Sequence, residues 1–121
     1  MTVTIYRVED ENCLGPYFGI GPDNSFRSRD DDLWKKKYHP FPEDDGLPYP
    51  QDDHRSAFAN LGQLWDWFGG YEFALAEDGY GVVSIECEPE DVAFGRHQVL
   101  FTEQGQPRVD IPWETVTQGR A

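Results

Sequence analysis

The segment from residue 21 to residue 57 is the feature that most constrains the fold of this 121-residue chain. It contains five prolines and nine acidic residues, and acids before lysines over Asp31–Lys37 are compatible with one helical turn there. Large apolar side chains are nevertheless spread through it, namely Phe26, Leu33, Trp34, Tyr38, Phe41, Leu47 and Tyr49. Because these side chains can pack on a core, we predict a long, ordered loop rich in Pro and Asp. Loops of this length are uncommon in compact domains and are usually either functional or disordered.

The sequence on either side of this loop predicts short strands and helices. Residues 2–8 alternate and are rich in β-branched side chains, which is typical of a strand. Asn60 is a favourable N-cap and predicts the start of a helix that runs to residue 68. The apolar stripe of that helix consists of Leu61, Leu64, Trp65 and Phe68. The further predicted elements are a short helix over 71–78 and strands over 81–87, 97–102 and 108–111.

This order of elements indicates an α+β fold. We predict a small, mainly antiparallel sheet with one or two short helices on one face, in a single domain that spans residues 1–121. Residues 104–106 are predicted to form a hairpin turn between the last two strands. The tail over 115–121 is predicted to be frayed.

The charge of the chain limits its partners. It holds 23 acidic and 10 basic residues, which gives a formal net charge of −13. The charge is spread over both halves, with −5 on residues 1–60 and −8 on residues 61–121. Phosphate contacts need Lys and Arg, so direct binding to nucleic acid or to an anionic membrane is excluded. The expected partner is a basic protein or a nucleic-acid-binding complex.

The sequence also predicts where the protein resides. The N-terminus has neither a basic start nor a long apolar run, so no signal peptide is predicted, and no stretch approaches a membrane span. Cys13 and Cys87 fit neither a metal-binding spacing nor a disulfide framework. We therefore expect a cytoplasmic protein with two reduced thiols, and Cys87 is expected in the core.

Runs of carboxylates are the main candidate site. They are Asp30, Asp31, Asp32, Glu43, Asp44, Asp45, Asp52 and Asp53. One interpretation is a solvated surface, and a second is a metal site, although the spacing is not that of an EF-hand. The third is a negative face that imitates the nucleic-acid backbone, which carries one charge per about 1.7 Å of duplex. Such a face would be attracted to a basic groove on a partner. Trp34 would then serve as an aromatic anchor.

Histidines offer no clear chemistry. His39, His54 and His97 are isolated in the sequence and do not form a zinc-binding pattern. No Ser-His-Asp or Cys-His order and no phosphate-binding Gly-rich motif is present. These observations favour a protein that is not an enzyme, without a metal or cofactor.

One pattern points to an enzyme instead. Arg7 lies on the first strand, Ser56 precedes the helical region, and Glu86-Cys87-Glu88 ends a later strand. This order resembles the Arg…Ser…Glu-x-Glu order of ADP-ribosyltransferases. The resemblance implies NAD as cofactor, with Arg7 and Ser56 supporting the dinucleotide and Glu88 activating the acceptor. The family's Ser-Thr-Ser motif is absent, and the interval from Arg7 to Glu88 is short for that fold. In the structural interpretation, Arg7 pairs with a neighbouring acid and the two glutamates line an exposed edge.

The general character of the chain suggests a different family. Its size, its acidity and its aromatic-rich single domain resemble small acidic bacteriophage proteins, including anti-CRISPR and other anti-defence inhibitors. The resemblance implies a stoichiometric inhibitor that occupies the basic nucleic-acid channel of a host complex. The eight carboxylates of the runs and Trp34 are then the partner-binding residues. A plain interaction domain, whose charge serves only solubility, is the remaining alternative.

Overall fold

A computed structural model of the protein describes residues 1–13, 15, 42–48, 51 and 53–118. Most of the loop predicted over 21–57 therefore lies outside the described residues, and its order stays a prediction. In chain order, the described elements are strand β1 (Val3–Glu9), a 3-10 turn (Pro42–Asp45), strand β2 (His54–Ala57), helix α1 (Leu61–Phe68), helix α2 (Glu72–Glu77), strand β3 (Gly81–Cys87), a 3-10 turn (Pro89–Asp91), strands β4 (Val92–Phe94), β5 (Val99–Thr102) and β6 (Arg108–Ile111), and helix α3 (Trp113–Gln118).

The strands form two antiparallel sheets of three strands each. The first has the order β1-β3-β6, and the second has the order β2-β5-β4. They meet at a bridge in which the backbone N–H of Tyr6 donates to the carbonyl of Phe58 at 2.9 Å and the N–H of Phe58 donates to Tyr6 at 2.7 Å. With short helices packed on the first sheet, this confirms the predicted α+β class.

The two faces of the first sheet are buried against different partners, as the alternation of side chains along a strand requires. One face packs against the second sheet, and the buried residues between them are Ile5, Ala57, Val83, Ile85, Cys87, Val99 and Phe101. The other face packs against the helices, and the buried residues there are Val8, Phe58, Leu64, Trp67, Phe68, Leu75, Val82 and Val116. The protein therefore has three layers, with the first sheet in the middle.

Helix α1 forms where its sequence predicts it. Asn60 caps it by accepting a hydrogen bond from the backbone N–H of Gln63 at 2.8 Å. The buried arc is wider than the predicted stripe, because α1 contacts both β1 and α3. Trp67 is consequently buried beside Phe58, with ring centroids 5.6 Å apart, while Trp65 is only half-buried.

The predicted hairpin between β5 and β6 is wrong. Gly105 does turn the chain, with a φ of 72°, but β6 pairs with β3 and not with β5. Both edges of β5 are already occupied, one by β2 and the other by β4. The turn therefore carries the chain from the second sheet to the first.

The prediction of a frayed tail is corrected for residues 115–118. This segment belongs to helix α3, which begins after Pro112. Val116 is fully buried against the other helices, and the indole N–H of Trp113 donates to the carbonyl of Tyr80 at 3.2 Å. Only two apolar side chains of α3 share a face, which is too few to produce a periodic signal in the sequence.

Candidate functional site

The structure places only part of the predicted acidic site. Asp44 and Asp53 are exposed, and Glu43 lies in the 3-10 turn over 42–45. Asp45 is 3% exposed, so it belongs to the interior and not to an acidic surface. The remaining predicted contact residues lie outside the described residues; they are Asp30, Asp31, Asp32, Asp52 and Trp34.

Asp45 is fixed by the turn that precedes β5. Its Oδ2 accepts hydrogen bonds from the backbone N–H groups of His97 at 2.8 Å and Gln98 at 3.0 Å. Its Oδ1 lies 2.7 Å from Nδ1 of His97. Burial alone would raise the pKa of Asp45, but the hydrogen bonds from His97 and Gln98 outweigh burial and hold it below its ordinary value. Asp45 therefore attaches the 3-10 turn over 42–45 to the second sheet.

A glycine makes this attachment possible. A Cβ atom on Gly95 would lie 2.9 Å from the backbone oxygen of Asp45 and 2.9 Å from Cδ1 of Leu47. Leu47 is itself buried. The segment over 45–47 thus packs directly on the backbone between β4 and β5.

The residues of the ADP-ribosyltransferase-like pattern do not come together as a group. Nη1 of Arg7 donates to the carbonyl oxygen of Ser56 at 2.6 Å, so these two residues are neighbours. Arg7 lies opposite Val83 in the sheet, and Glu88 lies five residues further along, which is about 17 Å at the rise of a strand. Glu88 is exposed. The observed contacts of Arg7 match the structural interpretation of this pattern.

Glu86, the other glutamate of the E-x-E pair, has a local role. Its carboxylate accepts hydrogen bonds from the hydroxyl of Thr2 at 2.6 Å and from the hydroxyl of Thr4. These hydrogen bonds lower the pKa of Glu86. Glu86 therefore stays ionised on an exposed part of the first sheet.

A cluster of charges joins the buried Arg7 and Glu9 to the half-buried Arg108 and Glu103, and only the pairing of Arg7 with a neighbouring acid was predicted from the sequence. Glu9 accepts from Nε of Arg7 at 3.0 Å and from Nε of Arg108 at 3.1 Å. Arg108 also pairs with Glu103, with Nη1 at 3.0 Å from Oε2. Burial lowers the pKa of Arg7. The hydrogen bond between Arg108 and Glu103 lowers the pKa of Glu103 and raises the pKa of Arg108. The only sequence signal was the position of Arg7 on the same strand face as Val3 and Ile5.

Most of the exposed charge on the described residues is negative. These residues include 18 acids and four arginines, while the rest of the chain has five acids and six bases. Of the four arginines, only Arg96 is exposed. The exposed acids are Glu11, Asp44, Asp53, Asp66, Glu77, Glu86, Glu88, Glu90, Asp110 and Glu114. The excess negative charge thus lies on the two sheets, the helices and their connecting turns, which together form the three-layer body.

One stretch accounts for much of this charge. Residues 56–95 contain no Lys, Arg or His, but they contain eight acids. This stretch was not predicted as a contact site, because its acids are distributed over α1, α2, β3 and the turns that follow.

The described residues show neither a cluster of metal ligands nor a membrane-spanning helix. Within residues 1–13, 15, 42–48, 51 and 53–118, no group of three or more His, Cys, Asp or Glu residues is placed to hold a metal ion. No helix in this part of the chain is long and apolar enough to cross a membrane. Cys87 is buried in the core as predicted, and Cys13 is exposed; both are free thiols.

Comparison with known proteins places the chain in a family. The sequence profile of the bacteriophage T4 Y00F protein matches residues 1–111. Comparison with the curated proteins and with the solved structures gave no match. The match to the bacteriophage T4 Y00F protein confirms the bacteriophage origin expected from the sequence, while the anti-defence role stays a prediction. Because it covers β1 to β6 and nearly the whole sequence, the chain belongs to the bacteriophage T4 Y00F protein family.

Proposed function

We propose that the protein binds a basic, nucleic-acid-binding surface of a bacterial host protein and competes with nucleic acid for that surface. The observation that carries this proposal is the charge distribution: ten exposed acids face solvent on the described residues, against one exposed arginine. The inhibitor of the anti-CRISPR type expected from the sequence is one instance of this mechanism.

A fixed scaffold is what makes such competition effective. Asp66, Glu77 and Asp110 lie on α1, α2 and β6, and the buried layers beneath hold these elements in place. Carboxylates on fixed elements produce a negative electrostatic potential at a defined surface. This potential speeds association with a basic groove and favours basic partners over acidic ones. A flexible acidic tail would lose conformational entropy on binding.

The proposed contact region differs from the one predicted from the sequence. The runs of carboxylates lie among Lys35, Lys36, Lys37, Arg27 and Arg29, which offset their charge. The stretch over 56–95 has no such compensation. We therefore assign the main contact to the three-layer body, with Asp44 and Asp53 beside it.

The experiment is a displacement assay. Purified protein is titrated into complexes between a fluorescent DNA duplex and each of a panel of purified, basic DNA-binding proteins from the bacterial host. We expect release of DNA from at least one complex. Binding of the protein to the same partners without DNA should weaken as ionic strength rises from about 0.01 M to 0.15 M, because the Debye length falls from about 30 Å to about 8 Å. If DNA stays bound in every complex at low salt, the charge serves only solubility and the proposal is wrong.

A further inference from the structure

Helix α2 exposes a large aromatic side chain. Phe73 is 83% exposed, although Leu75 on the same helix is fully buried. Ala74 and Tyr71 pack against the helical core, and Phe73 is not a member of that cluster. Among the described residues, the side chain of Phe73 therefore contributes little to packing, and it is accessible to another molecule.

The surroundings of Phe73 are acidic. Ala76 and Glu77 are also exposed on α2, three and four residues after Phe73, which places them on the same side of a helix. Glu72 adjoins Phe73 and accepts a hydrogen bond from the backbone N–H of Gly70. This α2 face, consisting of Glu72, Phe73, Ala76 and Glu77, lies inside the stretch that contains no basic residue.

We infer that the α2 face docks on a basic protein, with Phe73 inserted between the aliphatic stems of Lys or Arg side chains and the two glutamates paired with their charged ends. Lys and Arg combine an apolar stem with a cationic end, and Arg also stacks on aromatic faces. A symmetric dimer through this face does not fit, because it would bring a second α2 face with the same glutamates against this one. The class of partner rests on the proposed function, whereas the docking of Phe73 rests on its exposure.

The chain provides a matched control. Phe94 on β4 is also an exposed phenylalanine, at 56%, but it lies two residues from the exposed Arg96. The positive charge of Arg96 makes this position less favourable for a basic partner than the α2 face. Phe73→Ala and Phe94→Ala remove the same group from surfaces of different charge.

The first test uses the displacement assay. We expect Phe73→Ala to raise the concentration needed to release half of the DNA at least tenfold, the size of effect seen at anchor residues. Phe94→Ala should change it less than twofold. The salt dependence of Phe73→Ala should match that of the wild type, because no charge is removed. Both variants should keep the thermal unfolding midpoint of the wild type, since neither side chain is buried.

The second test does not depend on displacement of nucleic acid. A photo-reactive phenylalanine analogue is placed at position 73, or at position 94, in protein made in the bacterial host, and cross-linked proteins are identified by mass spectrometry. We expect a basic protein linked at position 73 and not at position 94.

The outcomes separate the two proposals. If position 73 links to a basic protein but no complex releases its DNA, nucleic-acid competition is wrong and the docking face stands. If DNA is released equally well by the wild type and Phe73→Ala, the docking inference is wrong and the proposed function stands. If position 73 gives no protein adduct, or an adduct with an acidic protein, the docking inference is overturned.

Discussion

Glu9 and Arg108 are 99 positions apart in sequence, yet they form an ion pair in the interior, with Nε of Arg108 3.1 Å from Oε2 of Glu9. The pair joins β1 to β6, the two outer strands of the first sheet, on the face that packs against the second sheet. Arg7 and Glu103 complete the cluster from either side. Each carboxylate is satisfied by more than one hydrogen bond, which offsets the cost of removing these charges from water.

Neutralising Glu9 should therefore destabilise the fold strongly. Glu9→Gln leaves Arg7 and Arg108 close together without the carboxylate between them, and removing one partner from a buried pair typically costs about 3–5 kcal/mol. Urea denaturation monitored by tryptophan fluorescence measures the free energy of unfolding. Glu11→Gln, on an exposed neighbour, is the control and should change it by less than about 0.5 kcal/mol. Equal stability of the two variants would contradict the structural importance of the cluster.

Stability should also depend on the ionisation of Asp45. Its pKa in the native protein lies below the ordinary value of 3.8, so at low pH the unfolded chain binds a proton that the native state does not. The contribution of Asp45 is thus present above about pH 5 and is lost as the pH falls through the native pKa. Glu103, whose pKa is also lowered, contributes with the same sign.

Replacing Asp45 tests this directly. Asp45→Asn should cost about 1–3 kcal/mol at pH 7, because the backbone N–H groups of His97 and Gln98 lose a charged acceptor. Its free energy of unfolding should then decline less steeply than that of the wild type between pH 5 and pH 3. Asp44→Asn, at the exposed neighbouring position, should keep the wild-type slope. If the slope of Asp45→Asn is also unchanged, the native carboxylate of Asp45 is not the group that titrates.

Helix α3 should contribute to stability through the burial of Val116. Val116 is fully buried, so Val116→Ala should lower the free energy of unfolding by about 2 kcal/mol. Thr115→Ala, at an exposed position of the same helix, is the control and should have little effect. Thermal unfolding followed by circular dichroism measures both. A frayed tail would make the two variants equivalent to the wild type.

The parts of the fold that follow from local periodicity could be predicted from the sequence. The strand over 81–87 and the helix that follows Asn60 have enough alternating or helically spaced residues to reveal both their type and their limits. The pairing of β6 could not be predicted, because it depends on which strand edges the rest of the chain leaves open. The contact between Asp45 and His97 joins positions 52 apart, so neither residue carries a local signal of it.

The predicted partner site depends on which carboxylates are exposed, and a run of acids in the sequence does not show this. Runs such as Asp30–Asp32 are conspicuous in sequence, whereas acids spaced along helices and strands become a surface only after folding. Asp45 illustrates the difference, because it stands beside Asp44 in a run but points into the interior. Membership of a run therefore does not establish that a carboxylate is exposed.

Two triple variants compare these alternatives at equal net charge. Glu77→Gln/Glu88→Gln/Glu90→Gln and Asp30→Asn/Asp31→Asn/Asp32→Asn each change the formal net charge from −13 to −10. If the three-layer body makes the main contact, the first variant should need several-fold more protein to release DNA in the displacement assay and should show a shallower salt dependence, because fewer ion pairs form with the partner. The second variant should differ from the wild type by less than twofold. If the second variant has the larger effect, the carboxylate runs are the partner site and the assignment to the three-layer body is wrong. Equal, small effects of both variants would indicate that binding responds to net charge alone.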